Sequence, residues 1–406
     1  MTNPQSARLS NLRVTIVSHG YGYGGDLMYY GEIFRQLHRL LPKLTIVTDS
    51  LTRFDNRYGL PLAPWMRLRR FALQRRTKAG EIYDTEMTVP GPGLLSRLLS
   101  RSTDVFIAIE FTPPALAAVL AASLVPRRAL VLLIESDPVG RGGSSNRAVL
   151  RLKKWAVGRA TIIQTNNARG RDYLLRELGA DPARIRVAPY LTSRPPGPAP
   201  DLSATDGRPI RILFANSLTK RKGLEAFIAA LDILPDRLRH RFTMTIVGDG
   251  PERPELERAV QEARLAGQVT FAGKHPYRAL GEFYADADIL AIPSRADYRS
   301  LSGFEGLGYG LALLSSAHDG ASEETVIDGM NGYIIDPGDI AGTAEKLALL
   351  LEDRDRLTAM RRASLELYEA RFSVERIARN LADSALEAAG MIKGGAAMFR
   401  AEGDTA

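Results

Sequence analysis

The 406-residue chain contains no cysteine, which excludes a disulfide framework, a thiolate metal site and a nucleophilic thiol, and suits a reducing cytoplasm. Long apolar runs are absent too. The longest, Ala115 to Val125, is broken by Ser123 and falls far short of the roughly 20 residues that span a bilayer. The opening residues, Met1 to Asn11, are polar and lack the apolar stretch of a secretory signal.

What is present is the composition of a folded protein. With 45% hydrophobic and 25% charged residues, the chain buries a sizeable core, and at roughly 150 residues per domain its length predicts two or three domains. The net charge of +8 is unevenly placed: residues 1–200 carry 29 Lys and Arg against 14 Asp and Glu, whereas residues 201–406 carry 25 against 32. A basic half attracts nucleic acid, anionic lipid or a polyanionic substrate, and charge alone does not choose among them.

Short apolar runs alternate with amphipathic segments. Arg13–Ser18, Leu44–Thr48, Val105–Ile109, Ala129–Ile134, Thr161–Gln164 and Ile185–Ala188 read as strands, with helices at Leu27–Leu41, Ala115–Leu124 and Ala168–Leu178. That alternation predicts a mostly parallel sheet covered on both faces. A stretch rich in proline, Ser193 to Asp201, sustains neither a helix nor a central strand and marks a junction. Beyond it the grammar restarts, with strands at Ile210–Ala215, Phe242–Val247, Val269–Phe271, Ile289–Ile292, Leu311–Ser315 and Gly332–Ile335. Two doubly wound domains are therefore expected, at 1–192 and 209–373, joined by a linker at 193–208. Residues 374–406 follow as a C-terminal helix that crosses back to the first domain and ends in a frayed tail from Gly394.

Four constellations carry chemistry. Gly20, Gly22 and Gly25 spell G-x-G-x-x-G between the first strand and helix, with Asp49 ending the second strand; glycines there allow a diphosphate close to backbone N–H groups, as in a nicotinamide enzyme, or simply fit a strand-to-helix corner. Thr219-Lys-Arg-Lys222-Gly223 sets three cations at a helix start, which is unfavourable unless they spread into water or an anion sits among them. Val247-Gly248-Asp-Gly-Pro and Gly273-Lys274-His275 follow strands, where open α/β sheets place ligands or merely turn. Finally, Asp297 and Glu305 flank a helix start whose N–H groups at Leu301, Ser302 and Gly303 suit a phosphate, although Ser302-x-x-Glu305 also reads as a capping box.

The order of these motifs resembles the retaining glycosyltransferases of family four, whose architecture, GT-B, pairs two Rossmann-like domains across a cleft. The matching features are the Gly24-Gly25 loop, Lys222-Gly223, Gly248-Asp-Gly-Pro251, Asp297 through Glu305 in place of Glu-x7-Glu, and Asn331-Gly332. The likeness covers nearly all of the second domain and, more loosely, the first from residue 13. It departs at Ser217, where an Arg is common, at Asp297 for Glu, at Ser300 for Gly and at Gly306 for Ala.

The resemblance implies an acceptor-binding first domain, a second domain for a UDP- or GDP-linked sugar, and a retaining hexosyl transfer without metal or other cofactor. Lys222 and Arg221 would neutralise the leaving diphosphate, and Asp297 would hold sugar hydroxyls. Glu305 would hold the ribose, with Gly24, Gly25, Ser217, Gly248, Lys274, His275, Leu301, Ser302 and Gly303 around the donor, and His19 and Glu135 on the acceptor side. The acceptor implied is a glycan or lipid-linked glycan of cell-surface polysaccharide or glycolipid synthesis. A nucleotide-sugar epimerase and an NAD-dependent Rossmann enzyme stand as alternatives. Within Leu62–Lys78, apolar residues interleave with six cations; as a helix this segment would lie on the anionic inner face of a membrane or pack on the protein's own sheet. No nucleic-acid module is recognisable.

Overall fold

The structure, a computed structural model, describes residues 4–17, 30–49, 58–65, 67–76, 82–135, 147–202 and 207–403, with backbone alone at 4, 49, 65, 67–76, 82–88 and 393–403. They form two compact units, one of residues 1–191 with 374–406 and one of residues 192–373. The fold is α/β, with a parallel, Rossmann-like sheet in each unit.

The first unit contains β1 (Val14–Val17), β2 (Leu44–Asp49), β3 (Leu62–Trp65), β4 (Arg67–Arg76), β5 (Ile82–Pro90), β6 (Val105–Ile109), β7 (Ala129–Leu133), β8 (Ile162–Thr165) and β9 (Ile185–Val187). Seven of these build a sheet in the order β3-β2-β1-β6-β7-β8-β9, parallel throughout. Its helices are α1 (Pro4–Asn11), α2 (Tyr30–Leu40), α3 (Gly93–Ser100), α4 (Pro113–Leu124), α5 (Arg147–Arg159) and α6 (Ala168–Arg176). The strands β6 and β7 are buried at every position, because helices cover both faces and leave no polar side. Local chemistry starts α4: the Thr112 hydroxyl accepts the Ala115 N–H, and Pro113 and Pro114 fill the first turn, where no donor is needed.

The second unit contains β10 (Ile210–Ala215), β11 (Phe242–Val247), β12 (Val269–Gly273), β13 (Ile289–Ile292), β14 (Ala312–Ser316) and β15 (Gly332–Ile335), in the parallel order β12-β11-β10-β13-β14-β15. Its helices are α7 (Leu224–Asp232), α8 (Asp236–Arg239), α9 (Arg253–Glu262), α10 (Leu280–Ala285), α11 (Leu301–Gly308), α12 (Ser322–Thr325), α13 (Ile340–Glu352) and α14 (Arg354–Leu367). Successive residues of one strand serve opposite cores. Ile212 and Phe214 pack with Phe227, Phe242 and Leu347, whereas Leu213 packs with Phe304, Leu307 and Tyr309 on the other face. The chain leaves β10 in one direction toward β11 and β12 and later returns to its other side as β13, so the carboxyl ends of β10 and β13 flank the point where strand order reverses. Open α/β sheets bind ligands there.

Two expectations need correction. Residues 67–76 form a strand of an antiparallel ribbon with β5, so the helix expected within this segment is not formed. The sequence explains it: Phe71 and Leu73 alternate with Arg70, Ala72 and Gln74, and β5 offers a partner of the same period in Tyr83, Thr85, Met87 and Val89. The proline-rich stretch, 193–202, has neither helix nor strand and is held to the second unit. Its lack of N–H donors leaves carbonyls to accept, and the Tyr309 hydroxyl donates to the Pro195 carbonyl at 2.7 Å while Gly197 presses on the Gly281 backbone. The tail is helical through Gly403 as part of α15 (Val374–Gly403), where Ala396, Ala397, Met398 and Ala401 favour helix despite Gly394 and Gly395. That helix packs on α2 and on β6, β7 and β8 of the first unit. No described helix is long and apolar enough to cross a membrane.

Candidate functional site

The carboxyl end of β10 leads through Asn216 and Ser217 into a 3₁₀ turn, Lys220–Lys222, and the carboxyl end of β13 leads through Pro293 to Asp297. Both segments meet at the reversal point. Lys222 is only 6% exposed and its ammonium donates to Asp297 Oδ2, while Arg221 Nη1 lies 2.7 Å from Asp297 Oδ1 and also donates to the Ala296 carbonyl. The Arg295 N–H donates to the Arg221 carbonyl at 2.8 Å, so the two loops are joined by backbone as well as by charge. Gly223 fixes the turn: its φ is +65°, and a Cβ would overlap the Pro293 carbonyl oxygen. The Lys-Gly pair thus has a steric reason, since the glycine lets β13's loop close over the lysine.

Burial works to raise the Asp297 carboxyl, but Lys222 and Arg221 outweigh it and hold the group below the usual carboxylate range. Asp297 therefore stands ionised between two cations. Adjacent to it begins α11, with Ser300 as N-cap and no side chain closing its first turn, so the N–H groups of Leu301, Ser302 and Gly303 carry the positive end of the helix dipole. The capping box is not formed. Ser302's hydroxyl pairs with that of Ser300 at 2.6 Å, and Glu305 turns to other partners.

Glu305, 5% exposed, accepts from the Ser193 hydroxyl at 2.6 Å through Oε1 and from the Tyr284 hydroxyl at 2.5 Å through Oε2. Ser193 in turn pairs with the Tyr277 hydroxyl at 2.8 Å. Burial raises the Glu305 carboxyl, and the two hydroxyl donors only partly oppose that rise. Ser193, Tyr277 and Tyr284 are functional neighbours that sequence reasoning passed over; Ser193 lay in a stretch read as linker. Gly306, one residue on, faces the core, where a Cβ would lie 2.7 Å from Leu290 Cδ2 and 2.9 Å from Leu313 Cδ2. Alanine at this position would require those leucines to move.

The other candidates fall around this centre or away from it. Gly248, with φ +143°, lets its turn lie against the Asn216 carbonyl, a close approach no other residue allows. Ser217 is exposed beside it. Lys274 is exposed after β12, and His275 is occupied, with Nε2 3.1 Å from the Ala272 carbonyl and its ring edge-on to Phe283. Asn331 bridges the Thr325 carbonyl and the Ile327 N–H, a structural task. In the first unit, Glu135 lies two residues beyond β7, and its N–H donates to Glu110 Oε1 at 2.5 Å. Glu110 has φ +58°, unusual for a non-glycine residue, at the carboxyl end of β6, the reversal point of that sheet. His19, Gly24 and Gly25 lie outside the described residues, as do Gly20 and Gly22.

Two cations, a carboxylate and an uncapped helix start at the reversal point of a six-stranded Rossmann-like sheet offer the chemistry that suits a phosphorylated ligand. Comparison with known proteins agrees with that class. Residues 201–366 match the family model described as glycosyl transferases group 1. The chain is 30% identical over 179 residues to the GDP-mannose-dependent alpha-(1-6)-phosphatidylinositol monomannoside mannosyltransferase of Mycobacterium tuberculosis, covering 42% of this chain and 46% of that protein. It is 30% identical over 210 residues to the D-inositol 3-phosphate glycosyltransferase of Xylanimonas cellulosilytica, covering 47% and 49%. The matches thus span about half the length of these relatives. Among solved structures, Anabaena Alr3699/HepE in complex with UDP is similar at a TM-score of 0.66 and 17% identity, covering 91% of this chain and 98% of that one. These similarities favour neither the epimerase nor the nicotinamide-enzyme alternative.

Proposed function

We propose that the protein is a retaining, metal-independent hexosyltransferase that moves a sugar from a UDP- or GDP-linked donor to a glycan or lipid-linked acceptor in cell-surface polysaccharide or glycolipid synthesis. The observation that carries the proposal is the pair Lys222 and Arg221, held by Asp297 beside the start of α11 at the reversal point of the second sheet. The match of residues 201–366 to a glycosyltransferase model supports it, as do the GDP-mannose dependence in one relative's name and the UDP bound in a structural neighbour.

In this reading the donor's diphosphate takes its place among Lys222, Arg221 and the N–H groups of Leu301, Ser302 and Gly303. Asp297 keeps the Lys222 ammonium aimed and presents its remaining lone pairs to sugar hydroxyls. Glu305, positioned by Ser193 and Tyr284, accepts from the ribose hydroxyls. As the sugar–phosphate bond lengthens, negative charge grows on the diphosphate, and donors already in place stabilise it without reorganising; each is worth about 3 kcal/mol of barrier. The leaving phosphate then takes the acceptor's proton on the face where the acceptor attacks, so the anomeric configuration is kept.

Water serves as acceptor for a test that needs no knowledge of the natural one. With UDP-glucose and GDP-mannose as donors, proton NMR of early hydrolysis is expected to show the α-sugar first, and chelation by EDTA is expected to leave the rate unchanged. A first-formed β-sugar would refute retention, and loss of turnover restored by added divalent ion would refute metal independence.

A further inference from the structure

Asp319, in the turn between β14 and α12, is 0% exposed. Its Oδ1 accepts two backbone N–H groups, from Ser300 at 3.1 Å and Ala321 at 2.8 Å, but Oδ2 has no hydrogen-bond partner among the described residues. The turn runs alongside the Asp297 loop: the Asp297 N–H donates to the His318 carbonyl at 3.0 Å, and the Gly320 N–H donates to the Asp297 carbonyl at 3.1 Å. A second carboxyl is thus sealed behind the first, with one oxygen unmatched. An unpartnered buried charge is costly, and a neutral carboxyl avoids that cost.

The charge balance makes this consequential. With both carboxyls ionised, Asp297 and Asp319 cancel Lys222 and Arg221, and a bound diphosphate would leave the buried cluster with two surplus negative charges. Burial first, and Asp297 second, push the Asp319 carboxyl up to about 6, against the pull of its two N–H donors and Lys222. Of the neighbouring charged and titratable groups, Arg299 pairs with Glu324 at 2.9 Å, His318 faces Asp336 at 3.5 Å, and Glu323 is exposed on α12.

Resting on the donor-site reading above, we propose that Asp319 sets the charge of the donor-phosphate cluster, and that binding of a diphosphate donor is coupled to uptake of one solvent proton at Asp319 Oδ2. Asp319 is a positioning residue: it does not touch the donor but acts through Asp297 and through the Ser300 N–H at the start of α11.

Calorimetry with UDP-glucose and GDP-mannose tests this, because a diphosphate esterified at both ends does not itself titrate near neutral pH. Titrations in buffers of different ionisation enthalpy count the protons taken up. The wild type is expected to take up nearly one proton per donor near pH 7, its affinity falling up to about tenfold per pH unit as pH rises from about 6 to 8. In Asp319→Asn, Oδ1 still serves Ser300 and Ala321 while a neutral amide replaces the other oxygen. This variant is expected to bind without proton uptake, with a flat pH profile and tighter than the wild type at high pH. Uptake near zero in the wild type, or uptake that persists in the variant, would overturn the proposal, and the wild-type count decides even if the variant does not fold. Absence of donor binding at every pH would instead bring down the donor-site reading, and this inference with it.

Discussion

Replacing Lys222 with alanine is expected to lower kcat for donor hydrolysis by about 10² to 10³, the loss seen when one preorganised charge-stabilising donor is removed from an active site. The reason lies in how the residue is held. Its side chain is buried, its turn is closed by Gly223 under Pro293, and its ammonium is aimed by Asp297. In the proposed reaction such a group meets the charge that develops on the leaving diphosphate with no reorganisation, whereas the water that replaces it in the variant must reorient. Arginine is not an equivalent substitute, because a planar fork does not fit the space of a compact ammonium. The variant should still fold, since Asp297 keeps Arg221 and the N–H of Tyr298 at 2.8 Å. A kcat within about threefold of the wild type in a folded variant would remove Lys222 from the mechanism.

The largest expected effect on stability lies away from that centre. Asp288, 0% exposed at the start of β13, accepts two bonds from Arg208 at 2.7 and 2.8 Å and lies 3.1 Å from Arg361, itself 1% exposed; Arg211 adds its backbone N–H at 2.9 Å. Burial opposes ionisation of this carboxyl, but the arginines and the N–H win and hold it below the usual range. Removing the charge in Asp288→Asn leaves the buried Arg361 guanidinium uncompensated and the part-exposed Arg208 without its carboxylate, a loss of about 3–5 kcal/mol. In a unit of this size that corresponds to a melting temperature roughly 6–20 °C lower. The pH dependence has a definite sign. Because the folded carboxyl is depressed, its contribution is complete above the unfolded value of about 3.9 and is lost as pH falls through the folded value. Thermal melts of wild type and variant should therefore converge on acidification below about pH 4 and stay separated above it. A variant within 1 kcal/mol of the wild type at neutral pH, measured by urea unfolding, would show the cluster to be electrostatically neutral to the fold.

The sequence made the scaffold legible where one period dominated. Apolar runs such as Ile210–Ala215 and Ile289–Ile292 are strands because a parallel sheet buried on both faces needs no polar alternation. It was misleading where two periods compete, as in 67–76, whose pairing depends on β5 some residues away. The polar helix α14 was missed altogether: its buried face includes Arg361 and Ser364, which no hydropathy pattern flags. In the site, Lys222, Asp297 and Glu305 were picked out from local motifs, and the structure adds the steric constraint at Gly223 and Gly248. What could not be read was who holds them. Ser193, Tyr284 and Asp319 reach the cluster from three other segments, and contacts between segments far apart in sequence leave no local period.

The most direct test of the donor site is calorimetric titration of UDP, GDP and NAD into the wild type, Lys222→Ala and Glu305→Ala. The account predicts that one nucleoside diphosphate binds the wild type and that each variant loses at least about tenfold in affinity, some 1.4 kcal/mol. Binding of NAD alone, equal in all three proteins, would contradict it.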